Sequence, residues 1–216
     1  MKTYVGIDYS LKSPAVTVMS KASDITFFIF PRENSLKDKY IETLKDTGVI
    51  ISPVPYIKNV KDLAENERIN SGDSEMLATA VATAILPHLK GDIKIGIEGI
   101  SFASPGNTKV QYAGYHYVLR LLLTIVLPIK YDAVYVYAPN TVKKTAGKGN
   151  FKKDQMIEAF INSDAVELQN CPLRNGLIKT PELYQSPKAK HWMKPLDDIV
   201  DSYWTMKTLL NELENN

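Results

Sequence analysis

Three short runs of apolar residues open the chain, Thr3 to Tyr9, Ala15 to Met19 and Ile25 to Phe30, parted by turns rich in Ser, Lys, Pro and Asp. Runs of that length predict strands, and the short polar turns between them predict an antiparallel meander. Residues 31–72 follow a different pattern. A helical spacing near Leu36 to Thr47 gives way to a Pro-punctuated extended piece from Val49 to Ile57 and a polar stretch ending at Gly72, and the whole reads as an insertion. Asp73 then suits a helix N-cap with Glu75 in the first turn, because Met76, Leu77, Ala80, Val81, Ala84 and Ile85 recur at helical spacing up to about Leu89.

The second half repeats strand and helix in alternation. Ile93 to Glu98 reads as a strand, Pro105 to Leu127 as a long helix, Ala133 to Tyr137 as a strand, Lys153 to Ile161 as a helix, and the last helix starts at Pro195, a residue favoured at the first helical position. The stretch Tyr117 to Leu123 is apolar on nearly every side, which predicts a helix buried on several faces, by the core or by a second subunit. The sum is an α/β fold with a mixed five-stranded sheet, a three-strand antiparallel meander plus two parallel strands, flanked by helices.

Length and composition narrow this to one domain spanning 1–216. Hydrophobic residues make up 44% and charged residues 23% of the 216, ordinary for a water-soluble fold. The start Met1-Lys2-Thr3-Tyr4 has no signal-peptide core, and the longest apolar run, Tyr117 to Pro128, is broken by Arg120 and too short to cross a bilayer. A single cysteine, Cys171, allows no internal disulfide and fits a reducing compartment, hence a cytoplasmic location. The net charge of +2 hides an uneven distribution. Pro139 to Lys153 holds five lysines and no acid, whereas the segment from Asp197 onward holds five acids against Lys207. An acidic centre beside basic arms suits a polyanion whose phosphate must reach a metal; solvated loops are the plainer alternative.

The acids themselves are the candidate chemistry. Asp8 ends the first strand, Glu98 ends the fourth, and Asp197, Asp198 and Asp201 cluster at the start of the last helix. Three carboxylate sites without a matching His or Cys set point to oxygen ligation of a hard divalent cation, Mg²⁺ or Mn²⁺, rather than zinc. Asp198 and Asp201, three apart, share one helical face. Each acid also has a purely structural reading: Asp8 as a turn residue, Glu98 as an exposed strand end, and the helical acids as complements to the dipole. Gly147-Lys148-Gly149 lacks the spacing of a nucleotide-binding P-loop, so DNA phosphate is the favoured ligand of the lysine segment. Tyr112, Tyr115 and Tyr117 read as helix packing, and His88, His116 and His191 form no ligand spacing.

The order of elements is that of an RNase H-like fold, and Gly6-Ile7-Asp8, Ile97-Glu98, Pro139-x-x-Val142-Lys143 with Gly147-x-Gly149-x-x-x-Lys153, and Asp198-x-x-Asp201 resemble the RuvC-type Holliday junction resolvases over about four fifths of the chain. The resemblance implies a homodimeric, Mg²⁺- or Mn²⁺-dependent endonuclease that nicks opposing strands of a four-way junction with two ions per site. It implies Asp8, Glu98, Asp198 and Asp201 as ligands, with Asp197 an additional acid that could replace Asp198. It also implies DNA contacts at Lys143, Lys144, Lys148, Lys152 and Lys153, and at Phe102, which follows Glu98 by four residues where the family spacing is three. The long 31–72 segment suits a phage or viral relative. Alternatives within the fold are a nuclease for other branched DNA or RNA:DNA hybrids, and a junction-binding protein without activity. Actin-like ATPases can begin with the same Gly-Ile-Asp, but they need two such lobes, for which this chain is too short.

Overall fold

The computed structural model describes residues 1–21, 24–58, 60–100, 106–186 and 191–214. Strands β1 (Lys2–Asp8), β2 (Ala15–Lys21) and β3 (Asp24–Ile29) form the expected meander. On the other side of β1, β5 (Asp92–Glu98) pairs in parallel, and β6 (Val134–Tyr137) pairs in parallel with β5. The sheet has six strands rather than five. The extra one is β4 (Ile50–Ile51), two residues from the Pro-punctuated piece, parallel to β3 at the edge, so the order is β4-β3-β2-β1-β5-β6. So short a strand carries too little pattern to stand out from a loop.

Seven α-helices are assigned among the described residues: α1 (Asp38–Lys45), α2 (Leu63–Ile85), α3 (Gly106–Val126), α4 (Pro139–Ala146), α5 (Lys153–Ile161), α6 (Pro172–Lys179) and α7 (Leu196–Glu214). Strand alternation sends Val5, Ile7, Ile95 and Ile97 to one face of the sheet, where α2 and α3 cover them. Tyr4, Gly6 and Gly96 face the other way, toward α7. Helices α4 and α5 lie in turn on α7. Helix α7 is therefore the one buried on most sides, with Leu196, Ile199, Val200, Tyr203, Met206 and Leu209 fully buried.

Three expectations change. Helix α2 starts ten residues before the expected cap: Asp62 Oδ1 accepts from Glu65 N at 2.8 Å, and Asp73 lies inside the helix, buried against Arg32 at 2.5 Å. Gly72 beside it suggested a break, but it tolerates the helix on an open side where an added Cβ would meet nothing. Pro195 is the N-cap of α7 rather than its first residue, its carbonyl accepting from Ile199 N at 3.1 Å, and Lys194–Pro195 is cis. Helix α3, expected to be buried on several faces by the core or by a second subunit, packs one side against this chain's own core. Leu119 and Leu123 are buried in the chain's own core, and Leu122 and Val126 are half-buried against it, while Val110, Tyr117, Leu121 and Ile125 are exposed.

Candidate active site

The twin tripeptides Gly6-Ile7-Asp8 and Gly96-Ile97-Glu98 lie side by side, with Gly6 opposite Gly96 and Ile7 opposite Ile97 in the β1–β5 ladder. Asp8 and Glu98 are thus adjacent strand ends on the same sheet face as the glycines. The glycines are there because α7 passes very close. A Cβ on Gly6 would run into the Ser202 carbonyl and the Met206 amide, and one on Gly96 would come within 3.3 Å of the Thr205 carbonyl and Leu209 Cβ. A hydrogen bond of 2.8 Å between the Thr17 and Ser202 hydroxyls, and another of 3.2 Å from Trp204 Nε1 to the Met156 carbonyl, hold α7 to β2 and to α5. With α7 so placed, its first two turns carry Asp197, Asp198 and Asp201 to the ends of β1 and β5.

The acids share one electrostatic field. Burial and the neighbouring Asp198, Glu98 and Asp201 carboxylates raise Asp8 well above the usual carboxylate range, against the pull of Lys153. Asp201 is raised in the same way, by burial and then by Glu98. Burial pushes Glu98 up to about 7 although Lys143 and Lys153 oppose it, and pushes Asp198 up to about 6, where Asp197 adds to the effect and the Ser13 hydroxyl counters it. Asp8, Glu98 and Asp201 keep part of their surface open to solvent, whereas Asp197 and Asp198 are buried. Of the two adjacent acids, Asp198 is the one whose charge reaches Asp8; Asp197 pairs with Lys153 Nζ through Oδ2, and its Oδ1 is buried without a hydrogen-bond partner.

All five acids named from the sequence therefore come together. Among the described residues no three His, Cys, Asp or Glu side chains already close on a single point. Two of the acids have protein partners instead, Ser13 for Asp198 and Lys153 for Asp197. The donor set is nonetheless one a hard cation fits: carboxylate oxygens only, an orphaned buried oxygen on Asp197, and repulsion that an added positive charge would relieve.

The lysines divide. Lys143, half-buried on α4, and Lys153, at the start of α5, reach the acids, and Lys153 is held protonated despite partial burial by Asp197, Asp198 and Asp201. Lys144, Lys148 and Lys152 are exposed on the same segment. Phe102 lies outside the described residues.

Three participants were not anticipated. Ser13, in the turn after β1, donates to Asp198 Oδ2, and the turn is braced by Ser13 N donating to Ser10 Oγ at 3.1 Å. Tyr112, expected only to pack, is held above its usual range by burial and by Asp8 and Asp198, and is hydrogen-bonded to the Leu11 backbone. Lys194 reaches Asp198 from the loop before α7. Only the repeated Gly-Ile-acid tripeptide offered a sequence signal for how the site is built.

A second buried polar cluster braces this turn from the opposite sheet face. Arg32 donates through Nε to the Leu11 carbonyl at 3.0 Å, through Nη1 to the Pro55 carbonyl at 3.1 Å and through Nη2 to Asp73 Oδ2, which also accepts from the Tyr115 hydroxyl at 2.7 Å. Tyr9 packs edge-on against His116 with ring centroids 5.5 Å apart. Burial and Arg120 lower His116 to about 4, so it is a neutral core side chain.

No family model matches this chain, and no curated protein does. Among solved structures it is similar to that of Thermus thermophilus RuvC, at 13% identity over 97% of this chain and 96% of that one, with a TM-score of 0.49. It is also similar to T. thermophilus RuvC in complex with Holliday junction substrate, at 11% identity over 98% and 96%, with a TM-score of 0.47.

Proposed function

We propose that the chain is a structure-selective DNA endonuclease that resolves four-way junctions by hydrolysing phosphodiester bonds, one strand per subunit of a homodimer. The observation that supports this reading is the meeting of Asp8, Glu98, Asp198 and Asp201, from two strands and a helix, in one cluster beside Lys143 and Lys153. Four carboxylates held against their mutual repulsion are unfavourable for folding, and a site for divalent cations accounts for them.

These four acids would hold Mg²⁺ or Mn²⁺, two ions per site, with Asp197 the neighbouring acid. When bound, such ions supply neutralisation of the scissile phosphate, activation of the attacking water and stabilisation of the leaving 3′ oxygen. The chain's own residues do the rest. The Ser13 hydroxyl fixes the direction of the Asp198 carboxylate. Lys153 leaves 59% of its side-chain surface exposed while paired with Asp197, and so can meet a phosphate oxygen without unfolding anything around it. Lys144, Lys148 and Lys152 continue the positive surface outward from Lys143 and position the backbone of the strand. Two cuts in one encounter need two sites, and the exposed apolar stripe of α3, Val110, Tyr117, Leu121 and Ile125, supports a subunit contact there.

The test is a cleavage panel of an immobile four-way junction, a Y-fork, a linear duplex and an RNA:DNA hybrid, each with Mg²⁺ and with EDTA. Symmetric nicks in the junction are expected only with Mg²⁺, and Asp8→Asn should abolish them while junction binding persists. Preferential cutting of the fork or hybrid would move the substrate to that class. Near wild-type cutting by Asp8→Asn would remove the acids from the chemistry altogether.

A further inference from the structure

Strands β1, β3, β4, β5 and β6 all run in one direction, since β5, β6 and β4 each pair in parallel with a neighbour and β3 is related to β1 through two antiparallel steps. Their carboxyl ends consequently share one rim with Asp8 and Glu98. On the β6 side that rim leads into the α4–α5 lysines. On the β4 side it leads, after Ile51, into the segment that precedes α2. Three strand spacings of about 4.8 Å separate β4 from β1, roughly 14 Å, or about four phosphate steps along one strand of a duplex.

This segment is firmly rooted and then turns its side chains outward. Ser52 N donates to the Ile29 carbonyl at 2.9 Å, Val54 N to the Pro31 carbonyl at 2.9 Å, and Glu33 N to the Val54 carbonyl at 3.0 Å. Arg32 ties the Pro55 carbonyl to Leu11 in the turn that carries Ser13. Beyond this anchor Tyr56 is 57% exposed, Ile57 44%, Val60 44% and Leu63 75%, with Lys58 and Lys61 exposed among them. From Ile50 to Lys61 there are two lysines and no acid. Of the acids around it, Glu33 is exposed beside the anchor, Asp62 is engaged as the cap of α2, and Glu65 is paired with Arg68. Val60 N donates to Asn66 Oδ1 at 3.2 Å and fastens the far end to α2.

An aromatic ring and aliphatic side chains held in water beside lysines match a nucleic-acid strand with accessible bases: rings stack on bases, ammonium groups meet phosphates. We propose that Tyr56, Ile57, Lys58 and Lys61 form a second DNA-contacting arm, on the opposite flank of the acids from the α4–α5 lysines, which takes the unstacked strand at a branch point. The proposal rests on the endonuclease reading and adds to it a surface that selects branched over linear DNA.

The test uses the full chain in EDTA, with a four-way junction and a linear duplex of equal length titrated over a range of salt, and 2-aminopurine placed next to the branch. Tyr56→Ala should weaken junction binding by roughly five- to a hundred-fold and dequench the 2-aminopurine, with little change on the duplex, and Tyr56→Phe should restore both. Lys58→Ala with Lys61→Ala should lower the salt slope on the junction by roughly two. Junction affinity of Tyr56→Ala within twofold of wild type, equal losses on junction and duplex, or failure of the Phe variant to restore binding would each overturn the arm. So would unchanged DNA binding with an altered mass in light scattering, which would assign these residues to a contact between chains. Should wild type bind no branched DNA, the endonuclease reading falls as well. Should it bind, and lose binding when the α4–α5 lysines are changed but not when the arm is, only the arm falls.

Discussion

Glu98→Gln should make the metal-free protein more stable at pH 8 and at the same time useless as a nuclease. Burial holds Glu98 at about 7 in the fold against an ordinary 4.5, a displacement of roughly 3 kcal/mol at 1.36 kcal/mol per pKa unit. Part of the carboxylate is open to water and its titration is shared with Asp8, Asp198 and Asp201, so about 2 kcal/mol is the reasonable share for this one group. Because the folded value is the raised one, this favourable contribution to stability is complete below about pH 4.5 and disappears as the pH rises through about 7. Gln carries no charge at any of these pH values and should escape the loss.

The assay is urea unfolding in EDTA at pH 4 and pH 8, followed by tryptophan fluorescence, for which Trp204, buried on α7, is a suitable reporter. The variant and wild type should match at pH 4, and the variant should gain about 2 kcal/mol at pH 8. Adding Mg²⁺ at pH 8 should then reverse the order. A cation at a hundred times its Kd stabilises the form that binds it by about 2.7 kcal/mol, and the variant, short of one ligand charge, should gain much less. A Gln variant less stable than wild type at pH 8 in EDTA would refute the repulsion argument. Equal stabilisation of both proteins by Mg²⁺ would refute Glu98 as a ligand.

Two further outcomes follow from the packing around the site. Gly6→Ala forces a methyl group into the Ser202 carbonyl and the Met206 amide, backbone atoms that cannot rotate away, and should cost about 3 kcal/mol in urea unfolding and depress cleavage in the surviving folded fraction; a loss under 1 kcal/mol would mean that α7 is not seated there. Leu121→Glu with Ile125→Glu places charges on side chains 59% and 66% exposed, so the fold should survive while light scattering falls from about twice the 24.2 kDa chain mass to one chain; a wild type that stays monomeric at micromolar concentration and on a junction would exclude the α3 dimer.

The meander, the two parallel strands and the terminal helix were legible because each buries a long apolar face and so leaves a periodic trace. β4 was not, since two residues have no period. The start of α2 was misread because Gly72-Asp73 has the composition of a break and a cap, and only the distant Arg32 shows that the Asp73 carboxylate is spent on an ion pair within the helix. The acids were legible as a group because charge at the end of an apolar strand is conspicuous. The choice between Asp197 and Asp198 was not, for both lie in the first turn of α7 and only the approach of Lys153 to one and Ser13 to the other separates their roles. Ser13 and Tyr112 left no trace of their own. Ser13 reaches the site from the turn after β1 and Tyr112 from α3 against Leu11 of that turn, and nothing in the residues of the turn says which way it folds.

The two sheet faces divide the work of holding the site, and the turn Tyr9 to Pro14 is where they meet. On one face, Gly6 and Gly96 let α7 lie against the strands, so the contact that packs the helix is the contact that brings Asp198 and Asp201 to Asp8 and Glu98. On the other face, Arg32 grips the Leu11 carbonyl and is itself held by Asp73 of α2, whose carboxylate is shared with Tyr115 of α3. Two residues beyond Leu11, Ser13 delivers its hydroxyl to Asp198. A buried guanidinium with three satisfied directions is rigid, because each lost bond would strand a charge or a carbonyl away from water. Arg32 therefore acts on the acids at a distance, through the turn: it fixes Leu11, Leu11 fixes the course of the chain to Ser13, and Ser13 fixes Asp198. The segment 31–72 that reads as an insertion carries this arginine at its second position and ends beside the aspartate that holds it, so its ends are part of the framework of the acidic site.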